Sequence, residues 1–272
     1  MSALGHHLMF RTDDDRVLAP SVPQRRALAR TVHRLAEDSG LLAFGSADNH
    51  LHVVALVDRA QAGVLAHRIA CSLRWALALP VPLFPTRFRA IEDQDHLKTA
   101  FHYALGQRNR HGVQSDPFLD ACSLPDLLGL RLGHWDLIAR VREHLPRVRR
   151  ADLLRHLGPE ILEPADDERI AGLLAAGRGG LLRDAAAATT FLADLSSPQR
   201  AVVAPLASLT RVLPSLLPAA TLSHLLGRSP SRIRDLRHVP VPQTLDRALR
   251  LQVALRAWLL AHHPDSLPPG DG

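Results

Sequence analysis

The segment "LLAFGSADNHLHVVALV" (41–57) constrains the fold more than any other part of the chain. Two apolar, strand-like runs are separated by Asp48-Asn49, a hairpin signal. The strand period of two puts His50 and His52 on one side of the second run. Two imidazoles one strand repeat apart can chelate a divalent ion or simply decorate a polar strand face. With 16 histidines in 272 residues, about one His-x-His arises by chance, so spacing alone leaves both readings open.

Around this hairpin the first part of the chain alternates strand and helix patterns. "HHLMFR" (6–11) reads as a strand ended by the acidic turn "TDDD", where Asp13, Asp14 and Asp15 fit a solvated turn better than a metal cluster. Residues 20–40 read as an amphipathic helix with Leu28, Val32 and Leu35 on one face and Gly40 as its stop. Residues 60–79 read as a second helix, and 81–92 as a strand whose prolines suit a sheet edge. Residues 93–112 read as a third helix, acidic at its start and closed by Gly112. The order β-α-β-β-α-β-α predicts an α+β fold of ferredoxin-like, split β-α-β plan with one helix added, over residues 1–125.

From about residue 130 strand patterns give way to Leu, Ala and Arg in helical spacing, which predicts an all-helical extension over 126–262. Within it "ATLSHLLGRSPSRIRDLR" (220–237) has a helix-turn-helix cadence: Leu222 and Leu225, a turn at Gly227, then a second helix capped by Ser229. Arg232, Arg234 and Arg237 on that second helix suit contact with duplex DNA, although an ordinary helical hairpin has the same pattern. The tail, 263–272, reads as disordered.

Charge and cysteine content narrow the function classes. The net charge of +6 comes almost wholly from arginine, since Lys98 is the only lysine. Guanidinium groups bind phosphates bidentately, so nucleic acid is a fitting partner, though a GC-rich genome yields the same bias. Cys71 and Cys122 form no C-x-x-C pair, which argues against a disulfide scaffold or thiolate zinc site and suits a reducing cytoplasm. No run is apolar enough to span a bilayer.

The third predicted helix carries Tyr103, the only tyrosine, and Gln107 four residues on, hence on the same face. A phenol is a competent nucleophile beside a metal-polarised electrophile, and a carboxamide oxygen suits a hard cation. Tyr103 also fits a core position between Phe101 and Leu105. Arg87, Arg89, Arg108 and Arg110 flank these residues and can track the phosphates of a single strand. Trp75 and Phe84 fit core packing better than base stacking.

The chain resembles the HUH (His-hydrophobic-His) single-tyrosine transposases, including those associated with repetitive extragenic palindromes. "ADNHLHVV" is similar to their histidine segment "MPNHVHLL" from Asn49 onward, and "RFRAIEDQDHLKTAFHYALGQRNRHGV" to a later segment ending "YIxxNPVRAGL". Arg87, Phe88, Tyr103, Arg110 and Gly112 fall in register, and "HHLMFRTDDDRVL" looks like the first strand and loop. The likeness covers residues 5 to 115. It implies metal-dependent cleavage and strand transfer of single-stranded or hairpin DNA, by a monomer or homodimer. His50, His52 and Gln107 would hold Mg2+ or Mn2+, and Tyr103 would form a 5′-phosphotyrosine linkage. "ADN" for "MPN", "QRNRHG" for "NPVRAG" and the missing Gly-rich segment before "RF" depart from the family and bear on substrate recognition. The alternative from another class is a catalytically silent DNA-binding regulator using the same domain and the helix-turn-helix.

Overall fold

A computed structural model describes residues 3–83, 86–111, 121–131, 135–189, 223, 229–236 and 238–262. The chain divides into two compact units, one of residues 1–128 and 134–158, the other of residues 129–133 and 159–272.

The first unit is mixed α+β. Its elements are β1 (Gly5–Arg11), α1 (Val22–Ala36), β2 (Leu41–Ala47), β3 (His50–Ala55), α2 (Arg59–Ala76), β4 (Arg87–Ile91), α3 (Gln94–Leu105), α4 (Gln107–His111), α5 (Leu124–Leu127), α6 (Trp135–His144) and α7 (Arg150–Leu154). The four strands form one sheet in the order β2-β3-β1-β4, every neighbouring pair antiparallel. β3 therefore lies between the two strands that α1 connects, and β4 takes the edge that its flanking prolines suggest.

Local chemistry sets where the elements start and turn. Ser21 and Gln24 form a capping box at α1, and Asp58 and Gln61 form one at α2. Asp93 caps α3 by accepting the His96 N–H at 2.7 Å. Asp48, at φ 57°, supplies the left-handed residue of a two-residue hairpin whose flanking pair is Ala47 and His50. Gly40, at φ 65°, turns the chain from α1 into β2, where a side chain would also press on Leu56.

Strand alternation gives the sheet two different faces. Leu8, Phe10, Phe44, Leu51 and Val53 are fully buried on one. The edge-on contact of His33 with Phe44 sets α1 on that face, and the Arg59 guanidinium over Phe88 sets α2 there. Each large apolar side chain removed from water here contributes about 1.5–3 kcal/mol, so this layer is the main core. α3 takes the opposite face. It approaches so closely that a Cβ on Gly45 would fall 1.9 Å from the carbonyl oxygen of Ala104. The outer edge of β2 is covered by residues 121–123, through Ser46 N–H to Ala121 O and Ser123 N–H to Phe44 O, both 2.9 Å.

Two sequence expectations are corrected. The helix expected over 93–112 is two helices, because α3 ends at Leu105 and Gly106 caps it, with His156 packed 3.5 Å from where a Cβ would stand. Trp75 is not a core residue: it lies on the outer side of α2 and is 86 % exposed.

The described part of the second unit is helical: α8 (Asp167–Ala175), α9 (Gly179–Thr189), α10 (Pro230–Leu236) and α11 (Gln243–His262). α11 packs on α9, and its Gln252 donates to Leu130 O at 2.8 Å. Leu222, Leu225, Gly227, Arg237 and the tail 263–272 lie outside the described residues, as do Phe84 and Gly112 in the first unit. Among the described residues no helix is long and apolar enough to cross a membrane.

Candidate active site on the histidine face of the sheet

Residues opposite one another in an antiparallel sheet share a face. The register pairs Met9 with His52, Arg11 with His50, and His7 with Arg89, so His7, Arg11, His50, His52, Arg87 and Arg89 all project toward the α3 side. No other part of the sheet carries so polar a surface. α3 brings Tyr103 onto it, and the break at Gly106 turns α4 so that Gln107, Arg110 and His111 follow.

The rings form one cluster. Tyr103 meets His52 nearly perpendicular, 5.0 Å between centroids, and His7 at 5.7 Å. His50 lies 4.8 Å from His52 and 4.6 Å from His111. The Arg110 guanidinium sits 4.3 Å above the Tyr103 ring, a cation–π contact that steadies the phenol. Gln107, although polar, is only 1 % exposed, and His52 only 2 %.

Donor and acceptor accounting defines what this cluster can hold. Arg11 Nε donates to Asp15 Oδ1 at 2.5 Å, and Asn49 Nδ2 donates to the same oxygen at 3.1 Å. The Asn49 amide is thereby oriented with Oδ1 toward His50 Nδ1, at 2.8 Å, where it accepts. At the far end Gln107 Nε2 donates to the Tyr103 carbonyl at 2.7 Å, which turns Gln107 Oε1 onto His50 Nε2 at 3.1 Å. A neutral imidazole has one N–H. Given to Asn49, it leaves Nε2 and Oε1 facing each other as two acceptors. Burial, more than any other cause, lowers the His50 pKa, so a second proton is disfavoured.

Two facing acceptors are what a cation needs. Adjacent ligands of an octahedral ion with bonds of about 2.1 Å lie about 3.0 Å apart, close to the observed 3.1 Å. The His52 ring stands 4.8 Å from that of His50; its Nε2 is buried and has no hydrogen-bond partner, while its Nδ1 lies 2.9 Å from His7 Nε2. Burial and neighbouring cations hold His52 at a pKa of about 3 and His7 at about 4, so both rings are neutral, as ligand imidazoles must be. Among the described residues no three His, Cys, Asp or Glu side chains converge to hold a metal. Two imidazoles and a carboxamide are the neutral donors gathered here, a combination of the kind that a divalent ion accepts.

Of the residues singled out in the sequence, His50, His52, Tyr103, Gln107 and Arg110 come together, and Arg87 and Arg89 stand exposed on the same face of β4. Arg108 instead lines a narrow cavity with Ser46, Asn109, Cys122 and His156. Arg232 and Arg234 are exposed on α10, where Ser229 Oγ accepts from Arg232 N–H at 3.3 Å; Ile233 and Leu236 face inward. Sequence reasoning misses His7, Arg11, Asp15, Asn49 and His111. Strand parity marks His7 as distinct from its neighbour His6, which is buried on the other face and bonded to Val57 O. The chain matches no protein-family model, no curated protein and no solved structure.

Proposed function

We propose that this chain is a metal-dependent single-stranded DNA endonuclease and strand transferase of the HUH type, acting through Tyr103. The observation that carries the reading is the convergence of a lone tyrosine with a cation-ready His50–His52–Gln107 set on the polar face of a four-stranded antiparallel sheet. The strand order, with β3 inserted between β1 and β2, is the one a ferredoxin-like split β-α-β domain requires.

His50 Nε2, His52 Nε2 and Gln107 Oε1 would hold Mg2+ or Mn2+. The chemistry such an ion supplies is neutralisation of charge on the oxygens of a scissile phosphate. Tyr103 Oη attacks phosphorus, the Oη–P bond forms as the P–O3′ bond breaks, and the departing 3′ oxygen takes up a proton. The phenol gives up its own proton to solvent, and the Arg110 guanidinium over the ring holds it in place. The 5′-phosphotyrosine keeps one phosphodiester bond for each one broken, so rejoining to a new 3′-hydroxyl needs no nucleotide cofactor. Arg87 and Arg89 line the exposed approach along β4 and bind the backbone of the single strand. Outside the sheet, Arg232 and Arg234 suit duplex phosphates.

The test is incubation with end-labelled single-stranded and hairpin oligonucleotides and Mn2+, followed by a denaturing gel. A covalent adduct from the wild type, absent in Tyr103→Phe, is expected. No adduct with any substrate overturns the enzyme reading, and retained DNA binding in that case leaves a silent regulator.

A further inference from the structure

We infer that Asn49 is a positioning residue: it holds His50 in the Nδ1–H tautomer and thereby keeps the Nε2 lone pair open to a divalent cation. The inference rests on the reading of the site proposed above.

The neutral His50 ring has two competing places for its single proton. One is Asn49 Oδ1 at 2.8 Å from Nδ1; the other is Gln107 Oε1 at 3.1 Å from Nε2. The second choice would satisfy Gln107 with an ordinary hydrogen bond and close the nitrogen that faces the site. Nothing about His50 or Gln107 alone prevents it. Asn49 decides the competition because its amide cannot be reversed. Its Nδ2 faces the carboxylate of Asp15, which only accepts. A reversed amide would set two oxygens against each other at that end and offer an N–H to His50 Nδ1, driving the ring proton to Nε2. Asp15 is in turn fixed by Arg11, which pairs with it and stands opposite His50 in the sheet. The hairpin supplies the remaining constraint: with Asp48 in the left-handed region, Asn49 is the last loop residue, directly before His50. Hydrogen bonds to charged acceptors are stronger than neutral ones, so the Asp15 carboxylate gives the chain of bonds its direction. Outer-layer partners of this kind tune a metal-binding imidazole by fixing its tautomer.

The experiment reads the ring nitrogens of His50 by 15N NMR in metal-free, DNA-free protein, and then titrates Mn2+ alone by calorimetry. Wild type is expected to show Nδ1–H. Asn49→Ala is expected to move His50 to Nε2–H and to weaken Mn2+ binding at least about tenfold. The paired change Asp15→Asn with Asn49→Asp keeps a carboxamide–carboxylate contact and an acceptor on His50 Nδ1, so it should restore both readouts. Wild type in the Nε2–H form, an unmoved tautomer in Asn49→Ala, or Mn2+ affinity that stays within about twofold once the tautomer has moved would each overturn the assignment. Neither measurement contains DNA, so the role of Asn49 is decided even where the protein forms no adduct.

Discussion

The Gln107 carboxamide bonds back to the Tyr103 carbonyl at 2.7 Å, and so ties the two residues together across the break at Gly106. The amide that faces His50 and the phenol that faces His52 are thus set by one local contact. An uninterrupted helix would also have placed them on one face. The break adds the α4 turn that brings Arg110 over the phenol and His111 beside His50.

Gln107→Leu removes both halves of this contact at nearly constant volume. The Tyr103 carbonyl loses its donor and the cation site loses an oxygen. Mn2+ affinity, measured by calorimetry, should fall at least about tenfold, and adduct formation at saturating DNA should slow by more than the affinity loss explains.

Gly45→Ala tests how α3 is seated. The new methyl would collide with the Ala104 carbonyl, a backbone atom that cannot swing aside. Urea unfolding should show a loss of about 2–3 kcal/mol, and the adduct rate should drop because Tyr103 rides on the displaced helix.

Arg87→Ala combined with Arg89→Ala removes two cations from the exposed strand and leaves Tyr103, His50, His52 and Gln107 in place. Single-strand affinity should weaken, and the slope of log affinity against log salt should become shallower by about 1.4, at roughly 0.7 per phosphate contact. The adduct rate at saturating DNA should hardly change.

Acid should destabilise the metal-free protein through the same buried rings. Burial, then His96 and Arg89, holds His7 at about 4; burial, then His7, His50, His111 and Arg110, holds His52 at about 3. Both values lie below the 6.5 of the unfolded chain, so the folded state binds fewer protons through that window. Stability is therefore lost as pH falls from about 6.5 toward 4, by at most about 1.4 kcal/mol per pH unit for each ring. Urea midpoints at pH 7, 6 and 5 should decline, and less steeply in His7→Phe.

Much of the first unit is legible in the sequence because hydrophobic period and caps act locally. The runs at 41–47 and 50–55, the acidic start of the helix that Asp93 caps, and the shared side of His50 and His52 all follow from neighbours in sequence. Long-range register is not legible. Nothing local says that Met9 stands opposite His52, and that pairing is what delivers His7 to the site. The Asn49–Asp15 bond spans 34 residues and joins two loops, so Asp15 reads only as part of a solvated turn. Trp75 misleads because large aromatics usually bury, and an amphipathic helix can still leave one outside. Gly106 reads as continuous helix, since a single glycine is tolerated until tertiary packing favours the break.

His6 and His7 are adjacent, yet one bonds to Val57 O on the core side while the other meets His52 and Tyr103 on the opposite side. The site is written on alternate letters of β1 and β3, so its tolerance of change depends on parity. A point substitution alters one side chain, whereas a one-residue insertion inside either strand exchanges its two sets of side chains between core and site. Descendants of this chain can vary freely at many positions, but in these two strands length should change only in steps of two, or at the loops where the count restarts.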